Sequence, residues 1–252
     1  MVNGFIFFIG MCIGSFLNVC IYRIPAGKSI VRPASACPNC GAVIRWYDNI
    51  PLLSYLILRG RCRGCDTHIS IRYPIIEVLC GLFAMTCGLQ YGYGLPALVY
   101  FILIAALLVI TFIDIDHRII PDIISLPGIP LGFICSFLLP QLKWSDSLIG
   151  ILAGGGSLLA VAWGYQLITG KDGMGGGDVK LLAMIGAFLG WKGVLFTIMA
   201  SSLIGTVIGV VLMMRSGKDM KMAVPFGPFL ATGAIIYIFW GPRLVEWYFN
   251  LL

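Results

Sequence analysis

Charge is scarce in this chain: only 11% of its 252 residues are charged and 59% are hydrophobic, too little polar surface to cover a water-soluble globule. Composition leaves an integral membrane protein. Histidine is scarcer still, with His68 and His117 alone, and each reads as an ordinary polar loop residue rather than a ligand or base. No basic segment precedes the first apolar run, residues 2–21, and Asn18 stands where a small-residue cleavage site would be expected. That run therefore reads as a retained helix, not a cleaved signal peptide. The glycine-rich run at 173–177 lacks the Gly-x-x-x-x-Gly-Lys-Ser/Thr pattern and a preceding strand, which argues against a phosphate-cradling loop. A net charge of +6 could point to nucleic acid, but the basic residues sit in loops beside apolar segments, where topology and lipid headgroups account for them. Membrane lipid is the expected partner, and no nucleic acid.

What the chain has in quantity is apolar runs. A hydrocarbon core of about 30 Å takes roughly 20 helical residues, and residues 2–21, 75–89, 95–113, 123–139, 147–169, 179–190, 194–214 and 226–251 supply eight candidates. Some are short, and 179–190 spans only if Lys180 and Lys192 snorkel at its ends. The predicted fold is an all-α polytopic membrane protein of about eight transmembrane helices, with a small insert between the first two. The expected divisions are 1–22 for the first helix, 23–73 for the insert and 74–252 for a seven-helix membrane domain. Loops on the insert's side carry Arg23, Lys28, Arg32, Arg45, Arg59, Arg61, Arg63, Arg72, Arg118, Lys171, Lys180, Arg215, Lys218 and Lys221; the other side has Lys143, Lys192 and Arg243. The positive-inside bias makes the insert cytoplasmic and puts both termini outside.

Nine cysteines divide into two sets. Cys12, Cys20, Cys80, Cys87 and Cys135 lie in apolar stretches and read as small apolar residues. Cys37-Pro38-Asn39-Cys40 and Cys62-Arg63-Gly64-Cys65 lie in the insert, twenty-one residues apart. Two such pairs can close a tetrahedral thiolate shell around one zinc ion, structural because four ligands leave no open position. Two disulfides are the alternative, and a reducing cytoplasm argues against them.

The topology also brings two carboxylates to one edge. Asp114 ends the run 95–113 and Asp178 follows Gly173-Met174-Gly175-Gly176-Gly177, so both fall at the cytoplasmic face although sixty-four residues separate them. A carboxyl beside a membrane-length segment is costly to bury and implies a pathway, a pairing or chemistry, and two that meet can share a proton and act as acid and base. Gly175 and Gly177 would give that loop close backbone approach. Asp178 could instead cap its own helix, Asp116 and Asp122 compete locally with Asp114, and a proton- or cation-coupled transporter or a zinc-bearing scaffold would use the same features differently. Carboxylates at one face and the lack of a visible internal repeat weigh against the transporter.

Gly175-Gly176-Gly177-Asp178 resembles the Gly-x-Gly-Asp signature of membrane-embedded aspartyl proteases, and Asp114 with Ile120-Pro121-Asp122 resembles the partner motif of the type IV prepilin peptidases. Gly14-Ser15-Phe16-Leu17-Asn18-Val19, the two Cys-x-x-Cys pairs, Asn49-Ile50-Pro51, Arg72-Tyr73-Pro74-Ile75-Ile76-Glu77 and Pro225-Phe226-Gly227-Pro228 resemble the bifunctional branch of that family, in family order. The resemblance implies a bacterial inner-membrane enzyme that removes the leader of type IV prepilins or pseudopilins through Asp114 and Asp178. It also implies N-methylation of the new terminus with S-adenosylmethionine, and it favours a methyltransferase role for Glu77, with Arg72 and Asn18. No Rossmann-type glycine fingerprint marks a site for that donor.

Overall fold

The structure, a computed structural model, describes residues 1–170, 175–216 and 225–249. Gly173 and Met174 of the glycine run, and Lys171, Lys218 and Lys221 of the charge bias, lie outside the described residues. Among the described residues the regular elements are helical: α1 (Val2–Arg23), a 3-10 turn (Trp46–Asn49), α2 (Leu53–Ile57), α3 (Arg72–Tyr91), α4 (Leu95–His117), α5 (Asp122–Ser136), α6 (Trp144–Thr169), α7 (Gly176–Ser216) and α8 (Gly227–Phe249). Five of them, α1, α3, α4, α6 and α7, are long and apolar enough to cross a membrane. The all-α membrane architecture expected above is the observed one, and each of the eight predicted runs lies largely in helix.

The runs 179–190 and 194–214 fall within one helical stretch, α7, broken only at Gly190 (φ 71°, ψ 179°). A positive φ there is open to glycine and costly for other residues. The break turns the chain sharply: a Cβ on Gly186 would lie 2.9 Å from Val194 Cγ2, eight residues on, whereas eight residues of straight helix advance about 12 Å. Gly190 makes two rods of one hydrophobic run.

Contacts divide the chain into two units, residues 1–109 and 110–252. In the first, α1 and α3 pack antiparallel through small residues. A Cβ on Gly10 would lie 2.8 Å from Gly81 Cα and one on Gly14 would lie 2.7 Å from Glu77 Cα. Helices in lipid associate through such close backbone approach, because lipid tails supply no hydrophobic drive between them. The insert leaves from the α1 end of this hairpin and returns into α3.

In the second unit the first rod of α7 is the centre, with Leu181, Leu182, Met184 and Ile185 each at most 1% exposed. Antiparallel α6 touches it backbone to backbone, Gly150 against Gly186 and Gly154 against the Leu182 carbonyl, and the Ser147 hydroxyl donates to the Ala187 carbonyl at 2.7 Å. Parallel α5 lies on it with Gly128 at Met184 and Gly132 at Ala187. The second rod pairs antiparallel with α8, with the Phe196 and Tyr237 rings 5.5 Å apart and Thr197 opposite Gly233.

The α6–α7 contact predicts an asymmetry between two neighbouring glycines. Gly154→Ala would drive a methyl into the Leu182 carbonyl, whereas Gly156 faces open space. Gly154→Ala should lose about 1–3 kcal/mol, the usual cost of overpacking. Gly156→Ala should be neutral or gain up to about 1 kcal/mol from helix propensity. Thermal melts of the detergent-solubilised variants check both.

Candidate active site and metal centre

Asp114 occupies the last turn of α4 and is 5% exposed. Burying a carboxyl is tolerable only if hydrogen bonds replace water, and here the backbone N–H of Gly227, the first residue of α8, donates to Asp114 Oδ2 at 3.1 Å. A Cβ at position 227 would lie 2.5 Å from that oxygen. Glycine is what lets the start of α8 come this close.

Asp178 lies in the first turn of α7, near enough for the Asp114 charge to act on it. Its Oδ1 is buried and has no hydrogen-bond partner among the described residues. Capping therefore does not account for that oxygen. Both carboxyls lie at one end of the unit, where α4 stops and α7 and α8 begin. Ile120, in the link from α4 to α5, wedges between those beginnings: Cβ atoms on Gly177 and Gly227 would lie 2.9 Å and 3.3 Å from it. Gly177 is thus a packing position, while Gly175 is exposed with open space about it.

The local competitors sit differently. Asp116 is exposed. Asp122 opens α5 and holds Lys180 of α7, whose Nζ lies 2.8 Å from both carboxylate oxygens. Sequence alone points to neither that ion pair nor the Gly227–Asp114 bond as an actual contact. The signal for the second was present: a Gly-Pro pair starting a helix leaves an N–H at the positive end of its dipole, ready for a carboxylate.

In the first unit Asn18 and Glu77 are buried, each 8% exposed, and both are partnered. Asn18 Nδ2 donates to the Gly14 and Tyr73 carbonyls at 3.3 and 3.2 Å. Glu77 Oε2 accepts the Leu52 N–H at 2.8 Å, and the Ser15 side chain also hydrogen-bonds to this carboxyl. Leu52 follows Asn49-Ile50-Pro51 with φ 60°, so the insert is held on the helix hairpin at a strained residue. Arg72 stands half-exposed at the start of α3.

The insert is built from two similar knuckles. Bridges Ala36–Val43 and Arg61–His68 close the two Cys-x-x-Cys turns, with the Cys37 N–H on the Ala42 carbonyl and the Cys62 N–H on the Thr67 carbonyl, both at 2.9 Å. The fifth residue of each, Gly41 (φ 70°) and Asp66 (φ 54°), is left-handed. Asn39 crosses between them to the Thr67 hydroxyl at 2.7 Å. All nine cysteines are unbridged, and the Cys37, Cys40, Cys62 and Cys65 sulfurs lie within 4.8 Å of one another, a group that could hold a metal ion. Hydrogen bonds from the Thr67 hydroxyl and N–H hold Cys65 down to about 6, so this sulfur is a ready thiolate. His68 and His117 are exposed and outside the cluster.

These features define an all-helical membrane protein with an acidic pair at one end of its helices and a four-thiol centre in a separate unit. The family model described as Bacterial Peptidase A24 N-terminal domain matches residues 8–91, and that described as Type IV leader peptidase family matches residues 101–210. A Pseudomonas putida protein named prepilin leader peptidase/N-methyltransferase is 40% identical, over 94% of this chain and 90% of its own length. Proteins of the same name from Aeromonas hydrophila and Pseudomonas aeruginosa are 36% and 37% identical, over 96% and 95% of this chain and 92% and 91% of theirs. No solved structure matches. The chain belongs to the type IV leader peptidase family and is an inner-membrane enzyme; nothing in these matches supports a transporter.

Elemental analysis of the purified protein should find one metal ion per chain at the thiol centre. Cys37→Ser with Cys62→Ser should abolish it, whereas Cys135→Ser should leave it in place.

Proposed function

We propose that this chain cleaves the leader from type IV prepilins or pseudopilins at the cytoplasmic membrane face and then N-methylates the new terminal residue. The observation that carries the cleavage half is that Asp114, held by the Gly227 N–H, acts electrostatically on Asp178 at the same end of the helices, in a chain whose relatives are named for that reaction. The fourteen-to-three basic bias of the loops supports placing this end of the helices inside, with both termini outside.

Cleavage proceeds by direct attack of water on the scissile carbonyl. One aspartate, ionised, takes a proton from the water as its oxygen bonds to the carbonyl carbon; the other, protonated, donates to the carbonyl oxygen. Collapse breaks the C–N bond and a proton passes to the leaving amine. The Gly227 N–H holds Asp114 throughout, and Ile120 keeps the starts of α7 and α8 apart by one side chain. Asp178 offers a buried oxygen with no described partner, suited to a water or a substrate carbonyl.

When bound, S-adenosylmethionine would supply a methyl group to the freed α-amine and leave as S-adenosylhomocysteine. Glu77, with Arg72 and Asn18, is assigned to that second reaction as the acidic group of the first unit that can take up the amine's proton. Cys37, Cys40, Cys62 and Cys65 would hold zinc as a structural ion. Tetrahedral Zn–S bonds of about 2.3 Å put sulfurs about 3.8 Å apart, and Cys37 Sγ lies 3.8 Å from Cys65 Sγ.

A synthetic leader-bearing peptide in detergent, read by mass spectrometry, separates the steps. Asp114→Asn and Asp178→Asn should each lower cleavage by at least about 10²–10⁴-fold while staying in the membrane; full processing by either would remove the acidic pair from the mechanism. Glu77→Ala should cleave and add no methyl, and a normally methylated product would cancel its assignment. Brief chelation should leave cleavage intact, since four protein ligands leave zinc no open position.

A further inference from the structure

The first turn of α7 has two jobs to reconcile. Asp178 must face Asp114, yet the three residues before it, Gly175, Gly176 and Gly177, have no side chains by which neighbouring elements could grip the helix start. The start of α7 is held by Ile120 against Gly177 and its body by α6, and even a small rotation of the first turn within that packing would swing the carboxyl away from its partner. Lys180 is the residue of this stretch whose charged side chain is tied to another helix. Positions two apart on a helix differ by about 200°, so Lys180 leaves α7 on nearly the opposite side from Asp178 and reaches α5, where Nζ lies 2.8 Å from both Asp122 oxygens.

Lys180 is the fifth residue of α7, past the first turn where the helix dipole acts, whereas Asp122 lies in the first turn of α5 and is favoured there. The pair does not hold the fold together, because the side chains are 36% and 55% exposed and exposed ion pairs contribute about 0–1 kcal/mol. α5 and α7 already pack in parallel register through Gly128 and Gly132. What remains for the pair is orientation.

We propose that the Asp122–Lys180 ion pair is a positioning clamp that sets the rotation of α7 and so delivers Asp178 to Asp114. This rests on the acidic-pair reading above. Asp116, His117 and Arg118, at the end of α4 and just after it, are exposed.

Cleavage kinetics of the detergent-solubilised full chain test it. An exposed ion pair can bias the productive orientation by up to about 5-fold, so Lys180→Gln and Asp122→Asn should each lower kcat about 2- to 5-fold with KM and the melting temperature little changed. Lys180→Arg should keep most of the activity. The double variant Asp122→Asn with Lys180→Gln should be no slower than the slower single variant, because one interaction is lost in all three. Wild-type kcat in the single variants, multiplied losses in the double variant, or a rise confined to KM would overturn the clamp. Asp114→Asn in the same assay keeps the two readings apart: if it still cleaves, the acidic pair fails; if it is inert while Lys180→Gln is unimpaired, only the clamp does.

Discussion

A carboxyl buried at the end of an apolar helix is the constraint around which the second unit is arranged. Asp114 has left water at the end of α4, and something must replace the hydrogen bonds it gave up. The replacement is a backbone N–H of α8, more than a hundred residues away. A backbone donor can approach only if its own residue carries no side chain, so position 227 must be glycine. A glycine-led helix start needs packing from elsewhere, and Ile120 provides it against both Gly227 and Gly177. Each local oddity at this end of the helices follows from keeping one acid dry and hydrogen-bonded.

The same economy of side chains runs through the helix contacts. Gly150, Gly154 and Gly186 bring α6 and α7 together at backbone distance, and Gly10, Gly14 and Gly81 do so for α1 and α3. Such contacts resist sliding, since neither partner has a flexible side chain to move aside, and they suit a site in which two carboxyls on different helices must stay at one depth. The insert is fastened by different means: Glu77 on α3 accepts the N–H of Leu52, and the two knuckles are tied by Asn39 and the four clustered thiols. Polar contacts and a cluster of thiols able to hold a metal ion do for a small insert what a hydrophobic core does for a large domain.

The sequence by itself determined the membrane class, because hydropathy is a property of composition and local runs, and it determined the pairing of the cysteines into one centre, because Cys-x-x-Cys spacing already limits where the sulfurs can point. It also brought Asp114 and Asp178 to one end of the helices, since direction of travel follows from counting apolar segments. Tertiary structure alone decided the rest. Hydropathy shows a gap near 190 but not that one left-handed glycine makes the corner. Nothing local says that Asp122 will be engaged by Lys180 or that Gly227 will meet Asp114, because those partners are fifty-eight and one hundred and thirteen residues apart. Pairing at that distance depends on how helices rotate and pack, and rotation about a helix axis leaves no trace in a run of apolar residues whose faces are nearly equivalent.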